Sequence, residues 1–147
     1  MARTLEYVEK IRGFNRFYTN LIGLLEQNFL DRPYSLTEGR VLYEISYMED
    51  CSAKKIREHI AIDEGYLSRI IHKFTKQGLI KKTPLPKDRR LHIILLTDKG
   101  KKEFSKLNEN SNKLISQLIE SLSEQENAEL VEMMERIRAL LTKDLPR

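Results

Sequence analysis

A mainly α fold carrying one small β-hairpin (α+β) is predicted for this 147-residue chain by three observations. Apolar side chains recur every three or four residues over long stretches at both ends. Between those stretches, N-cap and glycine stop signals cut the chain into shorter helices, two of them separated by only a few residues. Two β-rich runs then flank a loop punctuated by prolines. The length and a hydrophobic content of 40% fit one domain over residues 1–147, with enough apolar material for a core.

Residues 4–30 read as one helix through Leu5, Val8, Ile11, Phe14, Phe17, Leu21, Leu24 or Leu25, and Phe29. At about 1.5 Å per residue this helix extends about 40 Å, more than one compact domain covers, so a second chain is the simplest cover. Pro33 ends it, because proline disfavours helix at the residue before it. Ser35-Leu36-Thr37-Glu38 is a capping-box pattern that opens a second helix, with Leu36, Val41, Leu42, Ile45 and Met48 on its apolar face. Residues 49–52 make a turn, and Ser52 is the N-cap of a short third helix over 53–60. Ala61-Ile62 connects it to a fourth helix over 63–77, capped by Asp63 and stopped by Gly78. Two short helices joined this closely make a helix-turn-helix.

Residues 79–83 and 91–96 read as strands around a basic loop, 84–90. Thr97-Asp98 starts a fifth helix whose stripe is Phe104, Leu107, Leu114, Ile115, Leu118, Ile119 and Leu122. Ser123-Glu124-Gln125-Glu126 is another capping box. It opens a sixth helix with Leu130, Val131, Met134, Ile137, Leu140 and Leu141 apolar.

The net charge of +4 is concentrated rather than spread. Residues 53–102 hold 14 Lys/Arg against 5 Asp/Glu, and the remainder is net negative. A local positive field of this size attracts a polyanion, with counterion release from DNA supplying affinity, although a solvated charged surface would look the same by charge alone. The fourth helix sharpens the choice. Leu67, Ile70, Ile71 and Phe74 share one side, and Gly65, Arg69, His72 and Lys76 lie opposite with Ser68 beside them.

With these residues in place, the chain resembles the MarR (multiple antibiotic resistance regulator) family of winged-helix transcription regulators. The resemblance is carried by residues 35–42, 63–70, Gln77-Gly78-Leu79-Ile80, Asp88-Arg89-Arg90 and Leu96-Thr97-Asp98-Lys99-Gly100. It implies a winged helix-turn-helix DNA-binding lobe over residues 35–100, flanked by N- and C-terminal dimerisation helices at 4–30 and 101–145. It further implies a homodimer on double-stranded DNA, with the fourth helix in the major groove and the hairpin wing in the minor groove. The family's Asp-x-Arg wing motif falls on Asp88 and Arg90, implying a loop-orienting carboxylate and a groove-entering arginine. Small aromatic effectors are also implied; Arg12, Tyr43 and Tyr47 are candidates to line a crevice, and packing explains them equally well. Gly65-Tyr66-Leu67-Ser68-Arg69 is most similar to a subgroup fused to an acetyltransferase domain. The chain ends at Arg147, so no catalytic domain, and no acetyl-CoA binding, is expected.

The candidate DNA contacts are therefore Lys54 and Lys55 on the third helix, Gly65, Tyr66, Ser68, Arg69, His72 and Lys73 on the fourth, and Lys87, Asp88, Arg89 and Arg90 on the wing. Arginine can bond two acceptors of a guanine at once, and a narrow groove attracts guanidinium groups. Lys54, Lys55 and Arg57 suit phosphates rather than bases. Candidate dimerisation residues are Leu5, Val8, Ile11, Leu114, Leu118, Leu122, Ile137 and Leu141.

Other chemistry finds little support. His59, His72 and His92 stand on three different elements, without thiolate or carboxylate at ligand spacing, so no metal is expected. His92 reads as half-buried in an alternating strand. The single cysteine, Cys51, excludes an internal disulfide and reads as a small packed residue, with redox sensing the rival. No phosphate loop, nucleophile elbow or Cys/His pairing is present, so neither an enzyme nor a cofactor is expected. No run approaches the ~20 apolar residues of a membrane span and no signal-peptide region opens the chain, which points to the cytoplasm. The function read from all this is a sequence-specific homodimeric transcriptional regulator, a repressor released by a small molecule. The alternatives are a winged-helix module for an acidic protein partner, or a regulatory subunit related to the acetyltransferase fusions.

Overall fold

The computed structural model describes residues 1–27 and 34–145. Six helices and one hairpin follow in the order α1 (Ala2–Gln27), α2 (Leu36–Tyr47), α3 (Ala53–His59), α4 (Glu64–Lys76), β1 (Ile80–Leu85), β2 (Asp88–Leu96), α5 (Asp98–Ile119) and α6 (Glu124–Leu141). A mainly helical fold with a two-stranded antiparallel wing is thus what forms. The expected end of the first helix, with Phe29, lies outside the described residues. Residues 1–110 and 111–147 make two compact units.

The caps form where their side chains allow. Ser35 Oγ accepts from Glu38 N at 3.1 Å while Glu38 Oε1 accepts from Ser35 N at 3.1 Å, and the Ser123–Glu126 pair repeats this reciprocity at α6. Each box satisfies N–H groups that a helix start leaves without partners. Ser52 and Asp63 cap α3 and α4 with the side-chain bond alone, accepting from Lys55 N and Tyr66 N. Gly78 takes φ +74°, a left-handed turn that an L side chain resists. It returns the chain from α4 into the hairpin.

The core of the first unit is made by α2, α3, α4, the hairpin and the early part of α5. Val41, Leu42, Ile56, Leu67, Phe74 and Leu79 are essentially inaccessible, and Ile94 and Leu107 join them. Each such side chain contributes about 1.5–3 kcal/mol by leaving water. In the second unit the end of α5 and all of α6 lie exposed or half-buried, with no buried residue on α6.

The hairpin corrects the expected strand limits. Both strands run further toward the tip, so Asp88, Arg89 and Arg90 belong to β2 rather than to a loop. Pro84 pairs with His92 inside the ladder, and a register shift follows at Pro84/Leu85. A two-stranded sheet consists only of edges, and proline is tolerated at an edge position whose N–H would face solvent. The bulge absorbs what remains of the mismatch.

Candidate nucleic-acid interface

The interface is organised on α4. Asp63 Oδ2 accepts from Tyr66 N at 3.0 Å, fixing the helix start, and Leu67, Ile70, Ile71 and Phe74 bury one side in the core. Burial of that side leaves Gly65, Ser68, Arg69, His72 and Lys76 exposed together. A Cβ on Gly65 would lie 3.2 Å from Asp63 Oδ2, so a larger residue there would crowd the cap. The Arg69 guanidinium stands 5.7 Å from the centre of the Tyr66 ring, within cation–π range. An exposed arginine held against its own helix has less rotamer freedom to lose when it meets a base.

Lys73 departs from this group. Its ammonium donates to Glu38 Oε2 at 2.6 Å, where the Glu38 side chain is only 12% exposed. At about 100° per residue Lys73 lies on the flank of α4, not opposite the core, which puts it beside α2. Burial raises the Glu38 pKa, but the Lys73 hydrogen bond and charge, with the backbone and hydroxyl of Ser35, outweigh burial and hold it below its ordinary value. Lys55, also expected to meet DNA, turns its ammonium back to the Glu49 carbonyl at 3.2 Å. Lys54 is exposed.

The other flank of α4 borders a cavity of about 380 Å³ shared with α3 and β1. Ser68 and His72 line it, as do Arg57 and Lys82, and an Arg57–Glu64 ion pair at 3.2 Å ties α3 to the first turn of α4. Lys82 was not among the residues singled out from sequence. Its strand alternation was the available signal, since it pairs with Ile94 on the face that turns toward α4. His92 is a correction: it is exposed and lines a neighbouring cavity with Lys82, rather than being half-buried.

On the wing, Lys87, Arg89 and Arg90 are exposed. Asp88 Oδ1 accepts from Arg90 N at 3.1 Å and lies 3.7 Å from Arg90 Nε. The backbone bond holds the first residues of β2 in shape, while the solvent-exposed ion pair contributes under ~1 kcal/mol. The Arg90 side chain, 95% exposed, therefore remains available to an external anion.

Cys51 is buried against the core, and its backbone carbonyl accepts from Ile94 N at 2.8 Å. Desolvation pushes the thiol up to about 11, with Lys55 opposing and Glu44 adding to the shift. A protonated, enclosed thiol is a poor nucleophile. A thiol-specific reagent at neutral pH is therefore expected to label Cys51 only as fast as the protein unfolds; rapid labelling of the folded protein, read by mass spectrometry, would contradict this. Among the described residues no cluster of three or more His, Cys, Asp or Glu is arranged to hold a metal ion. Likewise no helix among them is long and apolar enough to cross a membrane.

Comparison with known proteins agrees with this geometry. A model of the MarR family matches residues 34–92. The chain is 33% identical over 118 residues to the HTH-type transcriptional regulator SarZ of Staphylococcus aureus, covering 78% of both chains. It is 29% identical over 100 residues to the HTH-type transcriptional regulator BilQ of Clostridium symbiosum, covering 66% of this chain and 69% of that one. The fold matches a MarR/EmrR family regulator from Acinetobacter sp. ADP1 with a TM-score of 0.74 at 21% identity, over 92% of this chain and 96% of the other. It also matches the transcriptional regulator BldR from Sulfolobus solfataricus with a TM-score of 0.75 at 18% identity, over 94% and 96%. Helix-turn-helix, basic wing and sequence kinship point the same way: the chain belongs to the MarR family of winged-helix, DNA-binding transcriptional regulators.

Proposed function

We propose that two copies of this chain bind one pseudo-palindromic operator in the cytoplasm and repress transcription from it. The lobe over residues 35–100 reads DNA, and the helices over 4–30 and 101–145 hold the two copies together. The observation that carries the reading is the coincidence, on one lobe, of an exposed Ser68–Arg69–His72 face on α4 with an exposed Lys87–Arg89–Arg90 wing. A helix of this kind enters the major groove and offers its side chains to base edges, while phosphate contacts set the register. Arg69 is assigned to base acceptors, Ser68 and Lys82 to the groove wall, Lys54 to phosphate, and Arg90 to the minor groove. Residues 65–69 resemble the recognition stretch of the acetyltransferase-fused subgroup.

Pairing of two chains is supported by apolar stripes that nothing covers within each unit. Leu5, Val8, Ile11, Phe14 and Phe17 on α1 are exposed, as are Leu118 on α5 and Ile137, Leu140 and Leu141 on α6; Leu114 and Leu122 are half-buried. Exposed apolar stripes along helices mark protein contacts when they are too long to be left in water. An effector site is supported by an aromatic group on α2 and α5. Tyr43 stacks on Tyr47 with centroids 5.6 Å apart and leans on Phe104 at 6.2 Å, leaving Tyr47 exposed enough to receive a small aromatic ring.

Selection of bound sequences from random duplexes tests the function directly. The outcome in favour is a dyad-symmetric motif with half-sites about one helical turn apart, ~10 bp centre to centre; enrichment without symmetry, or none at all, refutes it. For the wing, Arg90→Ala is expected to weaken binding to specific and scrambled duplexes alike and to make the plot of log affinity against log salt shallower by about 0.9. Unchanged affinity and slope in a fluorescence-anisotropy titration would remove Arg90 from the contact.

A further inference from the structure

One carboxylate serves two elements at the top of the DNA-binding lobe. Glu38 Oε1 accepts from the backbone N–H of Ser35 at 3.1 Å, closing the first turn of α2, and Glu38 Oε2 accepts from the Lys73 ammonium at 2.6 Å, reaching across to α4. The two residues are 35 positions apart in sequence. Lys73 immediately precedes Phe74, which is fully buried and meets the ring of Tyr34, next to Ser35, edge-on at 6.2 Å. The start of α2 and the last turn of α4 are therefore joined by an ionic contact and an aromatic contact side by side. Taking the ammonium away to a phosphate would strand a nearly buried carboxylate, which resists that exchange.

We propose that Glu38 and Lys73 are positioning residues for DNA recognition: their ion pair sets α4 against α2, and Lys73 acts on DNA through the placement of Ser68 and Arg69 rather than by touching a phosphate. This rests on the reading of α4 as the recognition helix. A helix locked at one azimuth presents Arg69 and Ser68 to base edges in one register, and a rotation of α4 about its own axis carries both away together. The same lysine on the opposite face would be an ordinary electrostatic contact.

The test uses the full chain with the duplex enriched by selection and a scrambled duplex of equal length, over a series of salt concentrations. Lys73→Gln is expected to weaken binding to the enriched duplex by about tenfold, the scale of one spoiled base contact, with little effect on the scrambled one. The slope of log affinity against log salt stays as in the wild type, whereas Lys76→Gln, on the outward face, makes it shallower by about 0.9. Glu38→Gln keeps a capping acceptor for Ser35 and removes a negative charge from a DNA-binding lobe. Electrostatics alone predicts tighter binding; the positioning role predicts the same selective weakening as Lys73→Gln, and non-additivity when the two are combined. A shallower salt slope for Lys73→Gln, or unchanged or tighter specific binding by Glu38→Gln, overturns the proposal. If Glu38→Gln does not fold, the specific-to-scrambled ratio of Lys73→Gln and its recovery in Lys73→Arg decide alone. Arg69→Ala separates the two levels: no loss of specific binding there refutes the recognition-helix reading itself, while a loss there without one in Lys73→Gln refutes only the positioning role.

Discussion

Gly100→Ala is expected to destabilise the protein by about 3 kcal/mol, at the upper end of the cost of overpacking a well-filled site. Helix propensity alone predicts the reverse, since alanine is favoured over glycine by about 1 kcal/mol in a helix interior. Sterics win because a Cβ at this position would lie 1.9 Å from the Leu79 carbonyl oxygen and 2.9 Å from its carbon, both backbone atoms without the freedom to swing aside. The close approach has a purpose in the fold. Leu79 O accepts from Thr97 N at 3.0 Å, Thr97 Oγ1 donates to Gly78 O and accepts from Gly100 N, and Lys99 Nζ donates to Gln77 O at 2.9 Å. Together these bonds clamp the start of α5 to the end of α4, where the wing begins. Gly39→Ala in α2 is the control: nothing lies within 4 Å of its added Cβ, so propensity should prevail and the protein should gain up to about 1 kcal/mol. Urea unfolding of both variants checks the pair, and equal behaviour at the two positions would mean that the Leu79 contact yields without cost.

Leu118→Asp is expected to dissociate the proposed pair of chains, raising the dimer dissociation constant about a thousandfold. That factor corresponds to about 4 kcal/mol, the penalty typical of an uncompensated charge in an apolar setting. Leu118 is 42% exposed in the single chain, on α5, one turn on from the half-buried Leu114, whereas Leu122, expected on the same helical stripe, lies beyond the end of α5 at Ile119. Because Leu118 is not buried within its own unit, the substitution should leave the first unit folded, with an unaltered helical circular dichroism signal. Sedimentation velocity over a range of concentrations reads the outcome. A Leu118→Asp variant that still sediments as a dimer would show that the apolar seam lies elsewhere.

Loss of pairing carries a further consequence for recognition. A monomer holds one α4 and one wing, so specific binding should fall by much more than binding to scrambled DNA. Arg90→Ala, in contrast, is expected to weaken both, because a phosphate contact is indifferent to the bases beyond it.

The parts of the fold that were legible in the sequence are those governed by neighbours along the chain. Ser35-Leu36-Thr37-Glu38 and Ser123-Glu124-Gln125-Glu126 form their capping boxes because donors and acceptors three residues apart suffice for one. Asp63 and Gly78 bound α4 for equally local reasons, and Leu67, Ile70, Ile71 and Phe74 face the core because 3.6 residues make a turn. Less legible was the hairpin. Pro84 argues for a loop by local rules, yet two strands with free outer edges accommodate it, and pairing across the ladder extends β1 and β2 toward the tip.

By itself, then, the sequence determined where α2, α3, α4 and α6 begin, which face of α4 is left outside the core, and that positive charge gathers between residues 53 and 102. Only the tertiary structure decided which of those charges are spoken for. Lys73, Lys55 and Lys82 are indistinguishable as lysines on basic elements, but one is held by Glu38, one by the Glu49 carbonyl, and one stands at a cavity beside Ser68. The physical reason is that a side chain's partner is set by what folding brings within about 3 Å of its charge, and hydrogen bonding of that range joins residues distant in sequence. Periodicity records which way a residue points, whereas its counter-ion comes from another element.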